Sequence, residues 1–471
     1  MKRRLFVVSA ALCAVAILSL AGWLILNGST SSNRTLRRID GGDLIYKNAT
    51  KSISALTDAT MQVSKGLETV TENDYFSQIT NQTLSFTGMG TEDFRATTTE
   101  TVIYGDHKVE ISELFINDVC YMTVEDALFS CPVSADEYRS RLVPPVILNC
   151  DLYGSVEGFD TGDDYLIRMT QPMDAEQWAL PQGATLLNAT GEACVAYDGT
   201  LKKSTYNILF QTKDAQMLLT VTAEPTSFSS DITPPPDTSS YIPISDLDAP
   251  RLLEQAGGYL TQADNIKSIY TDSIYFQSFG DQRQQKKTVH TRYNRDWTAR
   301  VDDEITLTND SKLGQPSVLL QTELFSNGLY SVSTDGAPAE SQPDISEPAM
   351  RTYCKNLLLS TVMLPSYITG AEIADSGDNL YISFTASYAF AKQVISKACE
   401  TMYRQPDMLS GLENETSTDA LTCYLEINKH TGLPTASGIS FSGTYTIESL
   451  PYKTHFHAEQ TYQFIQQSIA E

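Results

Sequence analysis

The amino-acid sequence predicts an α+β chain of two tandem domains, each a curved antiparallel β-sheet, or half-barrel, covered on one face by helices, behind one N-terminal transmembrane helix. Three observations predict it. An uncharged apolar run opens the chain, a proline- and serine-rich break divides the remainder into similar halves, and short segments recur across that break in the same order. A length of 471 residues also exceeds what one hydrophobic core organises, at about 100 to 200 residues per domain.

Residues 1–4 include Lys2, Arg3 and Arg4 and read as a cytoplasmic end. Residues 5–26 follow without a charge, and as a helix they span about 33 Å against a hydrocarbon core of ~30 Å. Basic residues ahead of such a run hold the amino terminus inside, which sends everything after Leu26 across the membrane. A cleaved signal peptide is the rival, because Ser19-Leu20-Ala21 offers small residues to a peptidase. The run outlasts the ~7 to 15 residues of a signal core, which favours an anchor. Both readings place the bulk of the chain outside the cytoplasm, and the favoured anchor holds it at the cell membrane. Residues 27–50 read as a polar stalk.

With 33 Lys and Arg against 58 Asp and Glu, the formal net charge is −25. Such a surface repels phosphate backbones, so nucleic acid is not an expected partner. Beyond Cys13 there are seven cysteines, and an exported compartment permits disulfides. The preferred pairs are Cys120 with Cys131, Cys150 with Cys194, and Cys399 with Cys423, leaving Cys354, although spacing alone does not fix connectivity.

Residues 227–243 contain Pro234-Pro235-Pro236 among Ser, Thr and Asp and form a stiff linker between domains at 51–226 and 244–471. Glu113-Leu114-Phe115-Ile116-Asn117-Asp118 recurs as Glu323-Leu324-Phe325-Ser326-Asn327-Gly328, and Asp160-Thr161-Gly162-Asp163 recurs as Asp375-Ser376-Gly377-Asp378. The offsets are 210 (323 less 113) and 215 (375 less 160), so order and spacing persist. Asn327-Gly328 is a strong hairpin signal, because both residues accept the positive φ of a type I′ turn.

Each half is expected to open with a helix, over Ala55 to Thr71 and over Ser245 to Asp264, the second capped by Ser245. Further helices are expected at Ala135 to Leu142, Glu347 to Leu359 and Tyr388 to Tyr403, with a short counterpart of the last at Met173 to Trp178. The intervening stretches, such as Thr99 to Tyr104, Val318 to Phe325 and Gly438 to Glu448, are rich in Tyr, Thr, Val and Ile and read as strands. Sequential hairpins favour an antiparallel sheet with helices on one face.

This order of elements, with the turn Lys429-His430-Thr431-Gly432-Leu433-Pro434 after the strand Thr422 to Ile427, resembles the LolA/LppX-like superfamily. The first copy departs at the turn, where Tyr197-Asp198-Gly199-Thr200 stands instead. The resemblance implies envelope proteins whose curved half-barrel wraps a central helix and holds acyl chains, and it implies no catalytic residues.

No cofactor and no metal site is expected. His455, His457 and Glu459 share one strand face, which reads as a solvated surface, and the Asp-Gly segments read as hairpin turns rather than calcium loops. No Gly-x-Ser-x-Gly and no glycine-rich phosphate loop occurs, so the chain is not expected to be an enzyme. The favoured reading is a membrane-anchored extracytoplasmic binding protein for an apolar or acyl-chain ligand. If each sheet curls loosely, a cavity would be lined by Leu114, Phe115, Tyr121, Leu324, Phe325, Tyr330, Tyr381 and Phe384. The alternative is an interaction or sensory ectodomain that engages another envelope protein, for which an apolar patch exposed in one copy but not the other is the signature.

Overall fold

The structure is a computed structural model that describes residues 36–142, 149–173, 178, 180–181, 183–227, 232, 237–276, 281–293, 296–308, 317–337, 340–342, 345–359, 368–386, 418–446 and 453–466. Four α-helices lie among the described residues: α1 (Gly42–Ser54), α2 (Ala135–Leu142), α3 (Asp248–Gln262) and α4 (Glu347–Leu359). Everything else of regular structure is strand, apart from a 3-10 turn at Cys150–Leu152.

The first half contributes β1 (Arg37–Ile39), β2 (Ala59–Thr71), β3 (Tyr75–Thr87), β4 (Arg95–Tyr104), β5 (His107–Ile116), β6 (Val119–Val124) and β7 (Ala127–Pro132). It continues with β8 (Tyr153–Asp160), β9 (Asp164–Pro172), β10 (Thr185–Ala196), β11 (Leu201–Gln211) and β12 (Ala215–Ser227). A short β13 (Ile242–Pro243) follows. The second half has β14 (Ile266–Phe276), β15 (Asp281–Tyr293), β16 (Trp297–Thr308), β17 (Ser317–Ser326), β18 (Leu329–Thr334) and β19 (Glu340–Gln342). Its return strands are β20 (Ile368–Ser376), β21 (Asn379–Ala386), β22 (Thr418–Asn428), β23 (Pro434–Thr446) and β24 (Lys453–Gln466).

The first sheet has 13 strands in the order β1-β8-β9-β10-β11-β12-β2-β3-β4-β5-β6-β7-β13, and the second has 11 in the order β19-β18-β17-β16-β15-β14-β24-β23-β22-β21-β20. Read from β8 and from β20, the two orders are the same. In each, the last long strand pairs with the first, β12 with β2 and β24 with β14, and β2 and β14 each turn into the next strand of the meander. The register repeats as well: Ala96 lies opposite Phe115 as Ala299 lies opposite Phe325. The hairpin signals explain the meander, since Asn117 and Asp118 have φ of 53° and 56°, and Asn327 and Gly328 have 53° and 73°.

The expected helix-covered α+β half-barrel is corrected by this architecture. The chain is mostly β, in two large sheets, and its short helices lie over parts of them rather than covering a face. The main misreading was Ala55 to Thr71, most of which is β2. Ala59, Met61 and Val63 are buried at a period of two against partners on both sides, and that pairing outweighs a helix-compatible spacing of larger residues. The opening helix lies earlier, where α1 buries Gly42, Tyr46, Ala49 and Ile53 along one stripe, and it begins within the 27–50 stretch read as stalk. Ser245 does not cap α3; its hydroxyl donates to the Ala371 carbonyl, and the Asp248 amide is bound by Asp246. The helices at 135–142 and 347–359 form as expected.

The expected anchor at 5–26, the triple proline, Cys399 and the helix at 388–403 lie outside the described residues. Among the described residues no helix is long and apolar enough to cross a membrane. Two of the expected disulfides are likewise corrected: Cys120, Cys131, Cys150 and Cys194 are free thiols, as is Cys354, while the third pair falls on Cys399, outside the described residues. Cys150 precedes β8 while Cys194 pairs with Leu166 toward the far end of the β8–β9 hairpin, which separates that pair by the hairpin's length. Cys120 and Cys131 do face each other across β6 and β7, and burial pushes the Cys131 thiol up to about 11.

Close packing of α3 on the first sheet depends on Gly258, where an added Cβ would come within 2.3 Å of the Tyr104 ring. Gly258→Ala is therefore expected to destabilise the chain by about 1 to 3 kcal/mol. Gly66→Ala, whose Cβ would meet nothing nearer than 4.0 Å, serves as the control and is expected to be near neutral. Urea unfolding of both variants checks the pair.

Candidate functional site

The groups with chemical interest gather where the two halves meet. Helix α3 opens the second half, yet it packs against β3, β4 and β5 of the first sheet as well as β20 and α4 of the second. Ten of its 15 residues are buried, on all sides of the helix, whereas α1 buries one stripe.

Arg251 of α3 meets two carboxylates on the inner face of the first sheet. Its Nη1 donates to Glu100 at 2.6 Å, and its Nη2 and Nε donate to Glu113 at 2.7 and 3.1 Å. Glu113 also accepts from the Tyr138 hydroxyl of α2 at 2.8 Å and from Thr98 at 3.3 Å. Glu100 accepts from Gln82 at 2.6 Å. Burial pushes the Glu113 carboxyl up, but Arg251 and the hydrogen bonds outweigh it and hold the group below its ordinary value. Burial pushes Arg251 down, and the two carboxylates return it to well above its ordinary value.

Register equivalence puts a matching polar band on the second sheet. Lys65, Gln82, Glu100 and Glu113 correspond to Asp272, Lys287, Asp303 and Glu323. There Lys287 pairs with Asp303 at 3.0 Å, and Arg283 pairs with Asp272 and Gln285. Glu323, buried like Glu113, accepts from the Tyr330 hydroxyl at 3.0 Å, the Tyr353 hydroxyl of α4 at 3.1 Å and Gln321 at 2.9 Å.

The rest of the seam is polar. Asp74, in the β2–β3 turn, accepts from the amides of Asp264 and Asn265 at 3.0 and 3.2 Å, and burial raises its pKa. Lys213 pairs with Asp378 at 2.8 Å. Beside them lies a cleft of about 400 Å³ lined by such groups as Glu72, Asp74, Asp214, Asn428 and Thr431. Ile266, Leu433 and Phe464 line it as well, so its walls mix polar and apolar groups.

The residues expected to line an apolar cavity do not share a face. Phe115, Phe325, Tyr330 and Phe384 are buried inward, while Leu114, Tyr121, Leu324 and Tyr381 alternate to the outer side. Phe115 stacks on Tyr138 at 4.6 Å and Phe325 leans on Trp297 at 5.8 Å, so both are packed core. On the outer face Tyr121 meets the linker's Tyr241 at 5.1 Å, and Tyr381 stacks on Tyr424 at 5.6 Å.

Sequence reasoning missed Arg251, Glu100 and the role of Glu113. The only signal for Glu113 was a charge between the apolar Ile111 and Phe115 in a period-two pattern, and Arg251 and Glu100 carried none as clear. Among the described residues no group of His, Cys, Asp and Glu is arranged to hold a metal. Ser442 Oγ and His457 Nδ1 lie 2.8 Å apart across β23 and β24, on an exposed strand face rather than in a cleft.

No protein-family model matches the sequence, and no curated protein matches it. Among solved structures the chain is similar to LprF from Mycobacterium bovis, at 13% identity and a TM-score of 0.26 over 43% of this chain and 100% of that one. It is also similar to a putative AttH from Nitrosomonas europaea, at 9% identity and a TM-score of 0.15 over 86% and 93% of the two chains. At TM-scores this low neither likeness establishes a shared fold.

Because the Glu113 carboxyl is held below its unfolded pKa, its stabilising contribution is complete at neutral pH and is lost as pH falls through the acid range. Arg251→Met is expected to cost about 3 kcal/mol at pH 7 by leaving two buried carboxylates without their cation. Burial then acts on Glu113 without its main opponent, its folded pKa moves above the unfolded one, and the deficit shrinks between pH 7 and pH 5. Urea unfolding at both values checks this, and an equal deficit would assign Arg251 to packing instead of charge.

Proposed function

We propose that the chain is a non-enzymatic envelope protein, held at the membrane by residues 5–26, whose second sheet engages another envelope protein. One observation carries this reading: a row of large apolar side chains is exposed in the second copy where the first copy has none. Val318, Leu320, Leu324 and Leu329 are 48%, 46%, 40% and 57% exposed along the outer face of β17 and β18. Their register equivalents in the first sheet are Lys108, Glu110, Leu114 and Val119. Two of those are charged, and the other two are only partly exposed.

Single exposed apolar residues are ordinary on a protein surface, but four on one face of two adjacent strands form the kind of patch that marks a contact surface. The first sheet's matching edge is covered from within the chain, because Tyr241 rests on Tyr121 and β13 pairs with β7. The second sheet ends in β19, which has three residues, with no strand beyond it among the described residues. A sheet edge flanked by exposed apolar side chains is a template for pairing with another chain.

A photo-activatable residue placed at Leu320 or Leu324 of the membrane-anchored chain tests the proposal. Cross-linking to one protein species is expected at both positions and not at Leu187, an exposed residue of the first sheet. Cross-links to lipid, or equal labelling at Leu187, would overturn it, and lipid adducts would point to the acyl-chain ligand instead. Leu320→Asp is expected to abolish the cross-link from Leu324 while changing stability by no more than about 0.5 kcal/mol, as for other exposed positions.

A further inference from the structure

The first sheet already shows how this fold is covered. Residues 241–262 bind it in three successive ways: Tyr241 sits edge-on to Tyr121, Ile242 and Pro243 pair in parallel with Phe129 and Ser130, and α3 crosses the inner face. The helix brings Arg251 to the two carboxylates and lays Gly258 on Tyr104. Under this segment Val102, Tyr104 and Val109 are 3%, 2% and 0% exposed.

Identical register assigns the equivalents on the second sheet. Val102, Tyr104 and Val109 correspond to Ile305, Leu307 and Leu319. Ile305 and Leu307 are half-buried, and Leu319 is 47% exposed on the inner face. The acidic pair is kept as Asp303 and Glu323. Lys287 answers Asp303, whereas the contacts described for Glu323 are all to neutral hydroxyl and amide donors. A buried carboxylate held by neutral donors beside an apolar strip that runs from half-buried Ile305 and Leu307 to exposed Leu319 occupies the place of the first sheet's α3 site, and no helix equivalent to α3 lies over it among the described residues. Buried charges are stabilised when a cation and full hydrogen bonding meet them.

We propose that the second sheet accepts from another polypeptide a strand–turn–helix segment of the same chemistry as residues 241–262. A short apolar extended stretch adds along β19. An amphipathic helix then places small residues over Ile305, Leu307 and Leu319 and a guanidinium toward Glu323. Both halves of this recognition are general, one being strand addition to an open edge and the other a helix seated in an apolar groove. The inference rests on the proposed protein-binding role and names the class of partner for it.

The chain's own segment supplies the probe. A fluorescent peptide of residues 238–264 is titrated into the full-length protein in lipid nanodiscs, with anisotropy and amide hydrogen exchange as readouts. Saturable one-to-one binding is expected, with new protection in β17 to β19. Leu319→Asp in the protein and Arg251→Met in the peptide are each expected to weaken it about tenfold or more, equivalent to roughly 1.4 kcal/mol, and Leu187→Asp is expected to leave it unchanged. No saturable binding would overturn the proposal, as would protection confined to β3 to β5, where the peptide would be displacing α3. So would slow exchange of β17 to β19 before any peptide is added, which would mean that another part of the chain covers the site. Protein cross-links from Leu320 and Leu324 in the absence of peptide binding would overturn this partner class while leaving the protein-binding role standing.

Discussion

Helix α3 is the element on which the arrangement of the two halves depends, and the constraint on it is the burial of charge. Two carboxylates on the inner face of the first sheet, Glu100 and Glu113, are 7% and 6% exposed. Each would cost several kcal/mol if left ionised and unpaired. The cation that answers them comes from the other half of the chain, so the first sheet's inner face is complete only when the second half has docked. The same helix carries Gly258 against Tyr104 and Tyr259 against Gly432. Side chains of Gln262 and Asn265 then tie its end to the β2–β3 hairpin through Ser77, Asn73 and Asp74.

The two sheets have one strand order and one register but different surroundings. The first is finished at both edges, by β1 on β8 and by β13 on β7, and its inner face holds α1, α2 and α3. The second keeps the polar band and the tyrosine-bound glutamate while exposing apolar side chains where the first is covered. The two sheets thus share a strand order and differ, among the described residues, in what lies over them. The first sheet's inner face is packed, and the cleft at the seam is lined by carboxylates and amides together with Ile266, Leu433 and Phe464.

Local signals determined a good deal. Asn117-Asp118 and Asn327-Gly328 place hairpin turns because their backbones accept positive φ, and both turns form. The segments at 135–142 and 347–359 form helices within the bounds that their patterns predict. The matched Glu-Leu-Phe and Asp-x-Gly-Asp segments fall at equivalent places in the two strand orders, which agree except for β1 and β13 of the first sheet. Ala55 to Thr71 failed because periodicity is ambiguous over a dozen residues, and strand partners more than a hundred residues away settle it. Leu114 beside Phe115, and Leu324 beside Phe325, were grouped as one lining although neighbours on a strand point to opposite faces.

What the sequence by itself determined was therefore the local grammar: acidity, turns, two short helices and the existence of two related halves. These follow from backbone preference and from patterns only a few residues long. The tertiary structure alone decided that the second half's first helix serves the first half's sheet, that Arg251 meets Glu100 and Glu113 across a separation of more than 130 residues, and that Leu319, Leu320 and Leu324 stay exposed on the second sheet among the described residues. Those outcomes depend on which distant surfaces exclude water from each other. No single segment encodes that, because the burial of a charge or a leucine is a property of both surfaces at once.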